Sequence, residues 1–150
     1  MLQRIQTLFL LVIAILSALL FILPFEHINS SETSYSLSLN PASFTVAIKS
    51  MVYLPVALNS GTALIALVTI FLFRKRTLQM KLSILVALLS ILLLGSFFLF
   101  DYLILPQGHE AVSSYTFVAF LPLVNAALAL LAKRYIKKDD DLVRSADRIR

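Results

Sequence analysis

The chain has 150 residues, of which 59% are apolar and 14% charged, with a formal net charge of +5 and no cysteine. Soluble domains carry roughly 25% charged residues, and a soluble fold of this length could not keep so much Leu, Ile, Val and Phe out of water. The composition therefore excludes an ordinary soluble domain. The lack of cysteine excludes disulfides, thiolate metal sites and thiol nucleophiles.

The first apolar stretch covers residues 5–23 and ends before Pro24. About 20 apolar residues cross the hydrocarbon core of a bilayer, so this stretch is long enough to span it. One Arg followed by an apolar stretch is also typical of a signal peptide. Bulky residues occupy the end of the stretch, where a cleavage site needs small ones. We therefore interpret it as a retained transmembrane helix.

A serine-rich segment, residues 24–53, follows the first span and is expected to form an outer loop. Apolar residues alternate with other residues over 34–39 and again over 44–48, on either side of the turn signal Asn40-Pro41. Alternation with a period of two is typical of a strand, and predicts a small β-hairpin within residues 33–48. A flexible polar loop is the alternative, because an isolated hairpin is only marginally stable in water.

Three more apolar stretches complete the predicted membrane domain. They cover residues 54–73, 82–102 and 115–132, with a basic loop at 74–81 and a second outer loop at 103–114. In lipid every backbone polar group needs an internal partner, which favours helices. The predicted fold is an all-α integral membrane protein, a bundle of four antiparallel transmembrane helices.

The tail, residues 133–150, is polar but patterned. Its apolar residues from position 142 to position 149 fall on one face of a helix. Asp140 stands four residues before Arg144, the favourable order for a helical ion pair. The tail is therefore predicted to form an amphipathic C-terminal helix, with continuation of the fourth span as one option.

The Lys and Arg residues indicate the orientation of the four spans. Twelve of the 13 Lys and Arg residues lie on the side of the two termini and the 74–81 loop, and only Lys49 lies on the other side. Because cytoplasmic loops carry the excess of Lys and Arg, the sequence predicts a multi-pass protein of the bacterial inner membrane with both termini in the cytoplasm.

The basic residues beside the spans form the candidate contact surface. Lys and Arg next to a span can bind anionic headgroups of the bilayer, each contributing about 1 kcal/mol, and the patterned tail suggests docking of a cytoplasmic or membrane protein partner. No nucleic-acid partner is expected, since the charges flank apolar spans and do not form one basic face. The residues assigned to lipid or partner contact are Arg74, Lys75, Arg76, Lys81, Arg144, Arg148 and Arg150.

Asn59, Thr62 and Asn125 are polar side chains inside the predicted spans. An amide in hydrocarbon needs a partner, and a hydrogen bond between helices contributes about 1 kcal/mol. We assign these three residues to polar packing between helices. The alternative is a substrate path that they line together with Asp101, as in a small oligomeric transporter or channel. Asp101 itself is expected at the membrane interface.

No catalytic or cofactor-binding arrangement can be recognised in the sequence. Two acidic-histidine pairs, Glu26-His27 and His109-Glu110, lie in outer loops and could together hold a metal. Solvated loop residues are the simpler interpretation of these pairs. No serine has a recognisable activating partner. We therefore expect a non-enzymatic protein without a cofactor, with an intramembrane enzyme as the third alternative.

Three segments of the chain occur together in a characteristic order: MLQRIQT at residues 1–7, RKRTLQ at 74–79, and KKDDDLVRSADRIR at 137–150. They resemble a family of short, four-span integral membrane proteins from Bacteroidetes, catalogued only as a domain of unknown function. The resemblance covers the whole chain and implies a four-span architecture and an inner-membrane location. The resemblance implies no particular activity, substrate or functional site. The leading hypothesis is a membrane scaffold or complex subunit that uses its basic cytoplasmic face.

Overall fold

A computed structural model of the chain describes residues 5–29, 34–40, 46–73, 75–104 and 112–147. Within these residues the fold consists of four long helices and one small sheet. The helices are α1 (Ile5–Ile22), α2 (Val46–Phe71), α3 (Arg76–Ile104) and α4 (Leu121–Asp147). The strands are β1 (Glu26–Asn29), β2 (Ser34–Leu37) and β3 (Val112–Tyr115), and a 3-10 turn (Phe117–Phe120) leads into α4.

Each helix contains a segment that is long and apolar enough to cross a membrane. These segments are Ile5–Ile22, Tyr53–Phe71, Arg76–Leu99 and Phe117–Val143. The mostly helical fold with four candidate membrane spans is thereby confirmed, and so is the presence of a small β-structure.

The helices form a ring in which α1 and α3 each pack against both α2 and α4. Two apolar clusters fill its centre. One lies beside the sheet and includes Leu20, Phe97 and Leu121, and the other includes Leu10 and Ala129. We refer to the first cluster's end of the bundle as the sheet end and to the other as the tail end. Alanines dominate the tail-end cluster, and small side chains let helix backbones approach closely: Ala66, Ala87, Ala126, Ala129 and Ala132.

The sheet joins the two loop regions at the sheet end. Its strand order is β2-β1-β3, and β1 pairs antiparallel with both neighbours, so that Glu26 lies opposite Leu37 on one side and Tyr115 on the other. The sheet rests on the bundle through stacked rings of Phe25 and Phe97, with centroids 4.4 Å apart. A third strand and this helix support supply the stability that an isolated hairpin lacks.

The predicted hairpin is right in one strand and wrong in its partner. Residues 34–37 do form a strand, but they pair with residues 26–29, and residues 46–48 lie in a helix. Val46 and Ile48 lie in the first turn of α2, and Phe44 lies outside the described residues. The alternation over 44–48 is too short to outweigh a helix that continues without a break to position 71.

Two helices begin earlier than the hydropathy predicts. α2 includes Lys49, which was expected in the outer loop, and α3 includes residues 76–81, which were expected in the basic loop. The second difference has a clear cause: the segment contains Arg, Leu, Gln, Met and Lys, which are good helix formers and need no apolar surroundings.

The fourth span begins later than predicted and ends later. Residues 112–120 form β3 and the 3-10 turn, and α4 begins at Leu121 with Pro122 in its first turn, where proline is favoured. The helix then continues through the polar tail to Asp147, without a glycine or proline to interrupt it. The amphipathic C-terminal helix is therefore the continuation of the fourth span.

Candidate functional site

The start of α3 is joined to the polar end of α4 by Arg76. Its Nη1 atom lies 3.8 Å from Oδ1 of Asp140 and donates a hydrogen bond of 3.3 Å to the backbone oxygen of Asp139. The two side chains are 22% and 17% exposed, and a partly solvated ion pair of this kind contributes at most about 1 kcal/mol. The importance of this ion pair is geometric, because it holds the polar C-terminal part of α4 against α3.

A groove of about 680 Å³ opens beside this contact. Its walls combine apolar side chains with charges of both signs, and its seven lining residues are Phe73, Lys75, Arg76, Thr77, Leu78, Asp140 and Val143. An amphipathic segment of a partner could place its apolar side chains on Phe73 and Leu78 and its acidic side chains near Lys75. We refer to this groove as the clamp groove.

A buried hydrogen bond positions the α2–α3 connection and the start of α3, which form one wall of the clamp groove. Nε2 of Gln79 in α3 donates to the backbone oxygen of Thr69 at 3.0 Å. Thr69 lies in the last turn of α2, where carbonyl groups lack a helical partner. Gln79 therefore caps the end of α2 and fixes the short connection between α2 and α3.

The contact residues expected from the sequence separate into three groups. Lys75 and Arg76 line the clamp groove, and Lys81 is exposed on α3 outside it. Arg144 lies on α4, and its side chain is outside the described part of the structure. The remaining three, Arg74, Arg148 and Arg150, lie outside the described residues.

Sequence reasoning missed a second basic surface, on the opposite face of α4. Arg134, Lys137 and Lys138 are exposed there and line a shallow groove of about 570 Å³ with Asp141, Leu142 and Ser145. The signal was the spacing of these residues by three and four positions, which places them on one helix face. The three cations belong to the tail whose Lys and Arg residues were expected to contact anionic headgroups, but they were not grouped as one face from the sequence.

A polar cluster in the interior joins three helices through Ser17. Nδ2 of Asn59 in α2 donates to the Ser17 backbone oxygen at 2.9 Å, and Nδ2 of Asn125 in α4 donates to Ser17 Oγ at 3.3 Å. Thr62 is also fully buried, but its hydroxyl donates to the backbone oxygen of Leu58 within α2. Ser17 itself was missed, because one serine in an apolar stretch is not distinctive.

The oxygen atoms of the two central amides remain available. Asn59 Oδ1 and Asn125 Oδ1 are buried and have no hydrogen-bond partner among the described residues. A buried acceptor without a partner is costly and is often satisfied by a water or another small donor. The cluster can therefore both join helices and accept a hydrogen bond from a small polar molecule.

One of the two acidic-histidine pairs lies outside the described residues, so the structure describes only the Glu26-His27 pair. Glu26 is buried in β1, whereas His27 beside it is exposed, and both His109 and Glu110 lie outside the described residues. Within the part of the chain that the structure describes, no group of three or more His, Cys, Asp and Glu side chains could hold a metal ion. Asp101 lies in the last turn of α3.

Comparison with known proteins gives one match. Neither a curated protein nor a solved structure matches the chain. A family model described as "Domain of unknown function (DUF4293)" matches residues 2–149. The match covers nearly the whole chain, including all four helices, the sheet and both basic surfaces, and the protein therefore belongs to this family.

Proposed function

We propose that the protein is a non-enzymatic, multi-pass protein of the bacterial inner membrane, a scaffold or complex subunit that binds a protein partner at its basic cytoplasmic face. The observation that carries the proposal is the Arg76 contact with Asp139 and Asp140. This contact holds the polar end of α4 in a defined position beside α3, as a docking surface requires. A free stop-transfer tail would need no such contact.

The distribution of apolar side chains supports placement in a membrane. Large apolar residues such as Leu64, Ile91 and Leu123 are exposed on the outer faces of the helices, while polar residues such as Asn59 and Asn125 are fully buried. A soluble bundle has the opposite arrangement. In lipid, exposure of the apolar outer faces costs no free energy. The polar groups find hydrogen-bond partners inside the bundle, which the hydrocarbon cannot supply.

The membership of the two apolar clusters supports antiparallel helices. Leu20 near the end of α1 packs in one cluster with Val56 in the first half of α2, and with Phe97 and Leu121. Ile13 and Ala66 belong to the other cluster. This distribution supports a bundle in which successive helices alternate in direction. Apart from Lys49, the Lys and Arg residues that the structure describes then lie toward the tail end, which the positive-inside rule assigns to the cytoplasm.

A photoreactive residue in the clamp groove tests the proposal. We expect the reactive residue at position 78 to give a defined protein adduct in native membranes, because Leu78 lines the groove. The same residue at position 120 is the control, since Phe120 is about half exposed at the sheet end. Deleting residues 139–150 should abolish the adduct at position 78 and leave membrane insertion intact. No adduct at 78, or the same adducts at both positions, would contradict the proposal.

The amide oxygens of Asn59 and Asn125 favour one alternative function, a small oligomeric transporter or channel. Two unpartnered acceptors in the centre of the bundle could accept hydrogen bonds from a polar solute as it crosses the membrane. A liposome flux assay separates the two functions. Wild-type protein and the variant Asn125→Leu should show equal leakage if the cluster only packs helices, whereas a flux lost in the variant would favour transport.

A further inference from the structure

The surface of α4 that faces away from the bundle changes from apolar to basic within two turns. Leu130 and Leu131 are exposed, and Arg134, Lys137 and Lys138 follow, also exposed. At 100° per residue all five fall within about 120° of the helix circumference. The residues that pack into the bundle lie on the other side of α4 and are fully buried: Ala129, Ala132 and Ile136.

The position of Tyr135 shows where this surface lies along the axis of the bundle relative to α1. Its ring contacts that of Phe9 in α1, with centroids 5.5 Å apart. Phe9 lies four residues, about 6 Å along the helix, from the start of α1 at Ile5, and Lys137 and Lys138 lie about 3–5 Å beyond Tyr135. The three cations are therefore level with the first turns of α1, at the N-terminal end of its apolar stretch. Tyr135 is suited to such a boundary, where tyrosines are enriched.

The chemistry of the surface specifies an amphiphile. Side chains three and four residues apart on a helix have Cβ atoms about 5–6 Å apart, so one guanidinium and two ammonium groups can contact the oxygens of a single phosphodiester. Leu130 and Leu131, one turn deeper on the same face, can contact acyl chains. A free phosphate ion would contact only the three cations and not the two leucines. An acidic peptide from the cytoplasm would not reach the leucines, which lie on the membrane side of the cations.

We infer that Arg134, Lys137 and Lys138 bind the headgroup of an anionic phospholipid whose acyl chains lie along Leu130 and Leu131. The inference rests on the membrane placement given in the proposed function, but not on a protein partner. It assigns the two faces of the α4 extension to different ligands. The face with Asp140 and Val143 belongs to the clamp groove, and the opposite face binds lipid.

Lipid binding by the full-length protein in detergent can be measured by native mass spectrometry with phosphatidylglycerol and phosphatidylcholine. We expect selective binding of phosphatidylglycerol and a loss of roughly 30-fold in affinity in Lys137→Gln/Lys138→Gln, since each cation near a membrane surface contributes about fivefold. The matched control is Lys75→Gln/Lys81→Gln, which removes the same charge from two exposed positions away from this face of α4, one lining the clamp groove and one on α3 outside it. It should change lipid affinity little.

Three outcomes would overturn the inference: equal binding of both lipids, equal losses in the two double variants, or displacement of phosphatidylglycerol by inorganic phosphate at low millimolar concentration. Variant Arg76→Gln separates this inference from the proposed function. It should weaken partner binding in the clamp groove and leave lipid affinity unchanged. Because Lys137 and Lys138 are exposed, the double variant should retain the helical content of the wild type, and circular dichroism checks this.

Discussion

Ser17 and Asn125 are 108 residues apart in sequence and form a hydrogen bond in the centre of the bundle, with 3.3 Å between Nδ2 of Asn125 and Oγ of Ser17. Both side chains are fully buried. The bond joins the first helix to the last, so it closes the ring of four helices. Asn59 approaches the same serine from α2, which makes Ser17 the point where three helices meet.

A double-mutant cycle between Ser17→Ala and Asn125→Ala should show an interaction between the two side chains. Hydrogen bonds between membrane helices average about 0.6 kcal/mol and reach about 1.7 kcal/mol, and we expect a coupling free energy in that range. Unfolding in mixed micelles, followed by circular dichroism, measures the free energy of unfolding for each variant.

The control pair for this cycle is Ser17→Ala with Ser90→Ala. Ser90 is equally buried, but its hydroxyl donates to the backbone oxygen of Val86 within α3. α1 and α3 are not neighbours in the ring, so the coupling should be close to zero. A coupling as large as that of Ser17 with Asn125 would mean that the variants perturb the bundle as a whole, and would contradict the specific role of the bond.

The contrast between Asn125 and Ser17 indicates what the sequence can predict. An amide in an apolar stretch is rare enough to be noticed. It needs a partner within the protein because hydrocarbon offers no hydrogen-bonding groups. The partner cannot be read from the sequence, because a serine satisfies its hydroxyl locally in many helices, as Ser60 and Ser90 do here. Long-range pairs depend on how the helices rotate about their axes, and only packing determines that rotation.

The same limit explains the sheet and the clamp groove. The spans follow from hydropathy, since their length is set by the bilayer. The pairing of β1 with β3 joins two loop regions that are separated in sequence by α2 and α3, and the sequence of β1, Glu-His-Ile-Asn, shows no clear alternation. Arg76 was expected to face lipid or a partner. It meets Asp140 because α3 begins early and α4 ends late, and hydropathy predicts neither boundary.

The stacked pair Phe25 and Phe97 should carry much of the stability of the sheet end. Phe97 is 1% exposed and belongs to the cluster that the sheet covers. Phe97→Ala removes the stacking partner of Phe25 and leaves a cavity, so the free energy of unfolding should fall by about 3–5 kcal/mol. Thermal or denaturant unfolding in micelles provides the measurement.

Phe71→Ala is the matched control for the Phe97 variant. Phe71 is 76% exposed at the end of α2, and the loss of an exposed ring leaves no cavity. We expect a change below about 0.5 kcal/mol for this control, as for surface substitutions in general. Equal losses for the two variants would mean that the apolar cluster at the sheet end does not form as described.

Arg76→Gln should loosen the end of α4 without unfolding the bundle. The variant removes the ion pair with Asp140 and weakens the contact with the Asp139 backbone, a loss of about 1 kcal/mol at a partly exposed site. Amide hydrogens of residues 139–147 should then exchange about fivefold faster, while those in the buried spans keep their rates. Hydrogen exchange with mass spectrometry resolves the two regions.

Two comparisons check the interpretation of the Arg76 variant. Lys75→Gln removes the same charge from an exposed neighbour that forms no ion pair in the described residues, and should leave exchange at the end of α4 unchanged. Salt at 1 M should accelerate exchange in the wild type and have less effect on Arg76→Gln, because it screens the ion pair. Equal exchange rates in the wild type and both variants would show that Arg76 does not hold the tail helix.

The orientation in the membrane can be tested with single cysteines, since the chain has none of its own. Ser36 in β2 and Ser145 near the end of α4 are both exposed, at opposite ends of the bundle. Ser36→Cys should react with a membrane-impermeant maleimide on intact spheroplasts. Ser145→Cys should react only after permeabilisation, because the positive-inside rule places the tail end in the cytoplasm. Both substitutions replace one oxygen with sulfur at a solvated site, so any difference in labelling reports location and not folding.

Reaction of both cysteines on intact spheroplasts would refute the assigned orientation, and reaction of Ser145→Cys alone would reverse it. The clamp groove and the basic surface of α4 would then face away from the cytoplasm.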